Sequence, residues 1–129
     1  MAAIALLLLL ANAGAGDAIL GQWRGTSTCV KNIEETRYCH DENVQYTFTR
    51  DGDVYNQKAD KLVNGEYAEM GRMDFRYDAA AKTWAADFSG PRAHVVWSYT
   101  IDGDAMKGTC VLLPSKTVVR HVLVHRYKP

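Results

Sequence analysis

The sequence predicts an all-β protein built as an eight-stranded antiparallel up-and-down barrel. Apolar and polar residues alternate with a period of two in several short segments, which is typical of strands. Turn-forming pairs such as Asn64-Gly65 and Asp102-Gly103 separate these segments at strand-sized intervals. Short turns make consecutive strands antiparallel neighbours, and pairing the first strand with the last removes the exposed edges of the sheet. An open sandwich is the alternative architecture.

Eight strands account for the chain after an N-terminal segment. They are predicted at residues 20–30, 43–50, 54–62, 70–77, 83–88, 93–101, 105–113 and 116–127. The turn signals after the second strand are, in order, Asp51-Gly52, Asn64-Gly65, residues 78–82, Ser89-Gly90-Pro91, Asp102-Gly103 and Pro114-Ser115. Gly, Pro, Asn and Asp favour these positions because they adopt or stabilise turn conformations. No helix of useful length is required.

Large aromatic residues occupy the positions that the period of two assigns to the barrel interior. The expected inward set is Tyr46, Phe48, Phe75, Tyr77, Trp84, Trp97 and Tyr99. Such residues would line an apolar cavity with hydroxyl and indole donors. A barrel of this strand number is equally compatible with a core that the same side chains fill completely, and the sequence leaves both alternatives open.

Residues 1–18 are expected to be a secretory signal peptide. Ala, Leu and Ile dominate residues 4–10, and this run is shorter than the roughly 20 apolar residues of a membrane-spanning helix. Small-x-small triplets at 11–13, 13–15 and 16–18 are candidate cleavage sites. We expect cleavage between Ala13 and Ala18, which leaves one exported domain at residues 19–129 with no membrane insertion.

The charge distribution argues against nucleic acid as a partner. The chain holds 15 basic and 15 acidic residues, and the basic ones are spread evenly along it. A domain that binds a phosphate backbone usually concentrates its Lys and Arg residues on one face. Anionic membrane surfaces are disfavoured for the same reason, and no motif indicates a cofactor.

Cysteine usage fits an exported chain. Cys29 and Cys39 flank the polar segment 30–38 and are expected to form a disulfide, which would stabilise the fold by about 2–3 kcal/mol. Cys110 lies in the apolar strand 105–113 and is expected to be a buried thiol. The sequence holds no Cys-x-x-Cys spacing of the kind that would indicate a zinc site.

The start of the first strand resembles the calycin group, the lipocalins and their relatives. Gly21 and Trp23 form the Gly-x-Trp of that group, whose closing strand supplies an arginine that packs across the tryptophan. Arg126 fits this place better than Arg120, because closing the barrel puts residues 124–126 beside Trp23. The resemblance implies a lipocalin-like barrel plugged at one end by Gly21, Trp23 and Arg126. Gly-x-Trp also occurs in avidin-like barrels and in small periplasmic protease inhibitors built as barrels.

Arg120 is the first candidate for contact with a ligand. If Arg126 points inward, the period of two points Arg120 inward as well. A buried arginine needs a carboxylate or an anionic ligand beside it. In the reversed register Arg120 lies in solvent. His121 and His125 then share the other face, but residues four apart on a strand are separated by ~13 Å, too far for one metal ion.

These observations predict an exported, carrier-type barrel for an apolar or weakly anionic small molecule. Its candidate ligand contacts are Arg120 and the seven inward aromatic residues named above. The alternative is a protein-binding module, such as a barrel-type protease inhibitor with a filled core, acting through a loop or through segment 19–22. No catalytic motif surrounds the serines, so we expect no enzyme activity. We also expect a monomer, without metal or cofactor.

Overall fold

A computed structural model describes residues 14–129 and shows a closed antiparallel barrel of eight strands. Each strand pairs with the next one along the chain, and the last strand returns to pair with the first, from Gln22 opposite Tyr127 to Cys29 opposite Arg120. The predicted architecture is confirmed. The apolar run at 4–10 and the triplet at 11–13 lie outside the described residues.

The strands fall close to their predicted positions. They are β1 (Gly21–Cys29), β2 (Glu42–Asp51), β3 (Val54–Val63), β4 (Glu66–Asp78), β5 (Thr83–Ser89), β6 (His94–Asp102), β7 (Ala105–Leu113) and β8 (Thr117–Tyr127). Two short 3₁₀ helices, Ala15–Ile19 and Glu34–Thr36, complete the structure. We call the first of these the N-terminal cap. Among residues 14–129, none of the helices has the length and hydropathy to cross a membrane.

Strand β4 starts earlier than the sequence predicts, at Glu66 and not at Met70. The reason is the tight turn at Asn64-Gly65, where both residues have positive φ, at 52° and 82°. This turn is the type that continues the right-handed twist of the flanking strands. Pairing therefore resumes at once, with Val63 opposite Glu66.

Two irregularities interrupt the ladders, and both lie in the same half of the barrel. In β4, Met70 is an extra residue, because Ala59 pairs with Gly71 and Asp60 pairs with Glu69. In β8, the ladder also shifts one residue before Arg120. Bulges of this kind redirect side chains and are common at barrel rims and beside binding sites.

The other half of the barrel is tightly packed. Its fully buried side chains include Trp23, Phe48, Phe75, Met106 and Val124. These residues come from strands all around the barrel, so they form one continuous core. Close packing leaves no room for a side chain at Gly108, where an added Cβ would lie 2.3 Å from the Tyr99 ring.

Candidate ligand-binding cavity

One end of the barrel is closed by an indole under a guanidinium. Trp23 has no solvent exposure, and its indole N–H donates to the Ile19 carbonyl at 2.9 Å. The Arg126 guanidinium carbon lies 4.2 Å from the centre of the Trp23 ring. Arg126 also donates to the carbonyls of Leu20 at 2.9 Å and Ala18 at 2.7 Å. The cation-π contact and the backbone hydrogen bonds together fix the chain across this end.

The N-terminal cap completes the closed end. The Trp84 indole donates to the Gly16 carbonyl at 2.9 Å, and a Cβ at Gly16 would collide with the Tyr55 hydroxyl at 2.4 Å. Asp17 accepts hydrogen bonds from Arg50 and from Tyr55, both at 2.9 Å. Residues 14–18, which the predicted domain boundary left out, thus pack onto the barrel.

Segment 19–22, which the alternative function would use to contact a protein, belongs to this closed end. Ile19 has no solvent exposure, and the carbonyls of Ile19 and Leu20 accept hydrogen bonds from Trp23 and Arg126. The segment therefore has a structural role at the closed end, and its use in contacting a protein stays a prediction.

The opposite end opens into a cavity of about 380 Å³. Every strand except β7 contributes to its lining, which places it inside the barrel and not on its outer surface. The lining residues are Ser27, Glu42, Tyr46, Gln57, Ala59, Met70, Gly71, Arg72, Met73, Phe88, Trp97, Tyr99 and Arg120. The cavity therefore combines an aromatic and thioether wall with a small group of polar side chains.

Arg120 points into the barrel and is surrounded by oxygen atoms. Its Nη1 donates to the Ser27 hydroxyl at 2.8 Å and to the Ser27 carbonyl at 3.2 Å. Its Nη2 donates to the His40 carbonyl at 2.7 Å and lies 3.6 Å from Glu42 Oε1. The side chains of Arg120 and Glu42 are only 16% and 23% exposed. Of the two registers that the sequence allowed, β8 adopts the inward one, and the protein itself supplies the carboxylate.

Two tyrosines and an amide form the deep polar part of the cavity. The Gln57 amide donates to the Tyr99 hydroxyl at 3.2 Å. Burial raises the pKa of Tyr46 to about 12 and raises that of Tyr99 well above its usual range. Both phenols are therefore neutral at physiological pH, and each can donate and accept a hydrogen bond.

The rim of the cavity is apolar and open to solvent. Met70 and Phe88 are 42% and 50% exposed. Leu62, Val63 and Tyr38 are also exposed and lie in the loops and strand ends of this half of the barrel. Five of the six exposed large apolar side chains among residues 14–129 therefore lie at this end of the barrel.

The structure divides the predicted ligand contacts into two groups. Arg120, Tyr46, Trp97 and Tyr99 line the cavity. The remaining four pack beyond it: Phe48 contacts Phe75 with ring centres 5.8 Å apart, and Tyr77 contacts Trp84 at 4.6 Å. The reason is the closed end, where Trp23 and the cap occupy the space that these rings would otherwise border. These four rings belong to the packed core and lie outside the cavity lining, and their contact with a ligand stays a prediction.

Four polar lining residues, Ser27, Glu42, Gln57 and Arg72, were absent from the predicted site, and alternation along the strands reaches the first three. Ser27 lies four residues after Trp23 and Glu42 lies four residues before Tyr46, so alternation along each strand places both on the inward face. Counting from the buried Tyr55 reaches Gln57. Buried polar residues at inward positions of a barrel strand are therefore the pattern to look for.

The disulfide loop ties the open end together. The predicted bond between Cys29 and Cys39 is confirmed. Asp41 accepts from the Cys29 amide at 2.8 Å and from Lys31 at 2.9 Å, and the Lys31 hydrogen bond is the main cause of a lowered Asp41 pKa. These contacts hold the His40 carbonyl against Arg120. Cys110 is buried, and burial raises the pKa of its thiol to about 11.

His121 and His125 lie on the solvent face of β8. Within residues 14–129, no three His, Cys, Asp or Glu side chains are grouped as metal ligands. Comparison of the chain with models of known families, with curated proteins and with solved structures found no match. The likeness to calycins therefore rests on the closed eight-stranded barrel, the Gly-x-Trp of its first strand and the Arg126 guanidinium over Trp23.

Proposed function

We propose that this protein is an exported, lipocalin-like carrier that holds one small, largely apolar molecule in the cavity at the open end of its barrel. The observation that carries this proposal is the cavity itself, of about 380 Å³, with aromatic and methionine walls and a few convergent polar groups. Small-molecule sites share this composition and measure roughly 300–1,000 Å³. The value lies near the lower limit, which favours a compact ligand or a single chain.

The route into the cavity supports the same proposal. Met70 and Phe88 both line the cavity and remain about half exposed. An apolar ligand that leaves water meets these side chains first and then the buried ring of Tyr99. The hydrophobic effect stabilises such a complex in proportion to the apolar area removed from water.

Export is proposed from two independent features. The apolar run at residues 4–10 ends in small residues, as secretory signals do. The Cys29–Cys39 disulfide suits an oxidising compartment outside the cytosol.

A protein-binding module is the second candidate, supported by Tyr38 in the disulfide loop. Tyr38 is 80% exposed, and the Arg37 guanidinium lies 4.7 Å from the centre of its ring. Tyrosine and arginine are the residue types most enriched among energetic hot spots of protein interfaces. This candidate needs the loop and not the cavity, so substitutions in the two places separate the two functions.

The test is a fluorescence titration with N-phenyl-1-naphthylamine, an uncharged apolar dye. We expect saturable binding of one dye molecule per chain. Gly71→Phe should abolish dye binding. No atom lies within 4 Å of the position that a Cβ would take at Gly71, so the new ring enters the cavity without a clash. The matched control is Ala68→Phe, which adds the same ring to an exposed position on the same strand. Equal dye binding by wild type and Gly71→Phe would contradict the proposal.

A further inference from the structure

The positive charge in the cavity already has its counter-charge within the protein. Arg120 faces Glu42 at 3.6 Å, and both side chains are mostly buried. A guanidinium binds a carboxylate best through two parallel N–H donors. Here the Nη1 group is engaged by Ser27 and the Nη2 group by the His40 carbonyl and Glu42. An incoming carboxylate would have to displace these contacts.

An incoming carboxylate would also meet a negative charge. Glu42 lines the same cavity as Arg120, so an anionic ligand group that reaches the guanidinium lies close to the Glu42 oxygens. Two carboxylates in a partly buried site repel each other strongly because little water screens them.

The polar groups left for a ligand are uncharged. The hydroxyls of Tyr46 and Tyr99 and the amide of Gln57 line the cavity below the ion pair. Each of these groups can donate and accept hydrogen bonds, so they match a hydroxyl, carbonyl or amide group. They already partner one another and Ser27, since Tyr46 interacts with Ser27 and Tyr99 and Tyr99 interacts with Gln57. An uncharged polar group of a ligand can use the hydrogen-bonding capacity that remains on them.

We infer that the cavity selects a ligand whose polar end is uncharged, such as an alcohol, ketone, aldehyde or amide, and that Glu42 is the residue that excludes carboxylates. This inference rests on the proposed function and narrows its ligand class, since the sequence alone favoured an apolar or weakly anionic molecule. Glu42 acts as a specificity-determining residue by neutralising Arg120 in advance.

The second arginine of the lining does not reverse this selection. Arg72 lies at the mouth, where its side chain is 58% exposed and its Nη2 is 3.4 Å from Glu69. Solvent screens a charge in that position, and its ion pair with Glu69 neutralises it further.

The experiment compares two ligands that differ only in the end group. Decan-1-ol and decanoate are titrated at pH 7.5 into the protein loaded with N-phenyl-1-naphthylamine, and displacement of the dye gives both affinities. We expect wild type to bind decan-1-ol at least tenfold more tightly than decanoate, because a like charge beside Glu42 costs more than 1.4 kcal/mol, the equivalent of tenfold.

Glu42→Gln tests the role of the residue itself. The variant keeps the shape of the side chain and leaves Arg120 without its counter-charge, so decanoate affinity should rise at least about tenfold while decan-1-ol affinity changes little. Adding Arg120→Gln to Glu42→Gln should remove the gain. Glu34→Gln, at the exposed ion pair with Arg37 in the disulfide loop and outside the cavity lining, is the matched control and should leave the preference unchanged.

The outcomes separate this inference from the proposed function. Equal affinities, a preference of wild type for decanoate, or failure of both decyl ligands to displace a bound dye overturns the inference and leaves a dye-binding cavity. An unchanged decanoate affinity in Glu42→Gln overturns the role of Glu42. Dye binding that Gly71→Phe does not affect overturns the proposed function instead.

Discussion

The two ends of the barrel each hold an inward arginine from β8, and the two arginines have different surroundings. Arg126 lies over the Trp23 ring and donates to backbone carbonyls of the N-terminal cap and of the residue that follows it. Arg120 donates to Ser27 and His40 and faces Glu42, and none of the aromatic rings in residues 14–129 lies under its guanidinium. At the first end the arginine closes a packed core, and at the second it borders a cavity.

The difference shows how one strand contributes one arginine to a packed core and another to the wall of a cavity. At the closed end an indole and the chain itself fill the space below the guanidinium, so no ligand has room to enter. At the open end the bulge at Met70 and the glycine at position 71 leave that space empty. Substitutions at the closed end should therefore change the free energy of unfolding most, and those at the open end should change ligand binding.

The largest expected effect comes from a pair of tryptophan substitutions. Trp23→Ala should lower the free energy of unfolding by about 3–5 kcal/mol, as expected for a fully buried aromatic residue. Trp97→Ala, at the wall of the cavity, should cost less than half as much, because Trp97 is only partly buried. Urea denaturation measures both values. Equal losses in the free energy of unfolding would contradict the expectation that the closed end contributes more to stability than the open end.

Removal of the disulfide should act on the open end. Replacing Cys29 and Cys39 by serine should cost about 2–3 kcal/mol, because the bond closes a short loop in the unfolded chain. Dye affinity should fall as well, since the loop holds the His40 carbonyl against Arg120. Thermal unfolding and dye titration of the oxidised and doubly substituted proteins check both effects. A lower free energy of unfolding with unchanged dye affinity would show that the loop does not support the cavity.

Stability should fall in alkaline solution because of the buried phenols. The folded pKa of Tyr46, about 12, lies above the value of ~10 for an unfolded tyrosine. The folded state therefore binds the proton more tightly, so this contribution is complete below pH 10 and is lost as the pH rises towards 12. Tyr46→Phe should remove about 3 kcal/mol of this dependence. Parallel pH profiles of wild type and variant would contradict the assignment.

The smallest expected effect concerns the N-terminal cap. Asp17→Ala should cost about 1 kcal/mol, because it removes hydrogen bonds to Arg50 and Tyr55 whose net contributions are modest. Dye affinity should not change, since the cap lies at the closed end. Glu69→Ala, which breaks an exposed ion pair at the open end, is the control for general charge removal and should be nearly neutral. A loss of dye binding in Asp17→Ala would contradict this prediction, because it would show that the closed end of the barrel affects binding at the open end.

The alternation of apolar and polar residues and the closure of the barrel are enough to predict the strands from the sequence, and the resemblance to calycins adds the contact between Arg126 and Trp23. The same alternation reaches Ser27 and Glu42, but it does not reveal that Glu42 lies within 4 Å of Arg120, because that approach depends on the disulfide loop between β1 and β2. Met70 and Gly71 were not predictable for another reason. The bulge breaks the alternation on which sequence reasoning depends.

The most direct test of the account is native mass spectrometry of the protein purified, without denaturation, from the organism that makes it. We expect a second mass, one small molecule heavier than the bare chain, that disappears after extraction with organic solvent and is absent from Gly71→Phe. Extracted material without a carboxylate would also agree with the role of Glu42. Two results together would contradict the claim that the open end is a ligand site. They are a spectrum that shows the bare chain alone and dye binding that is absent or is the same in wild type and Gly71→Phe.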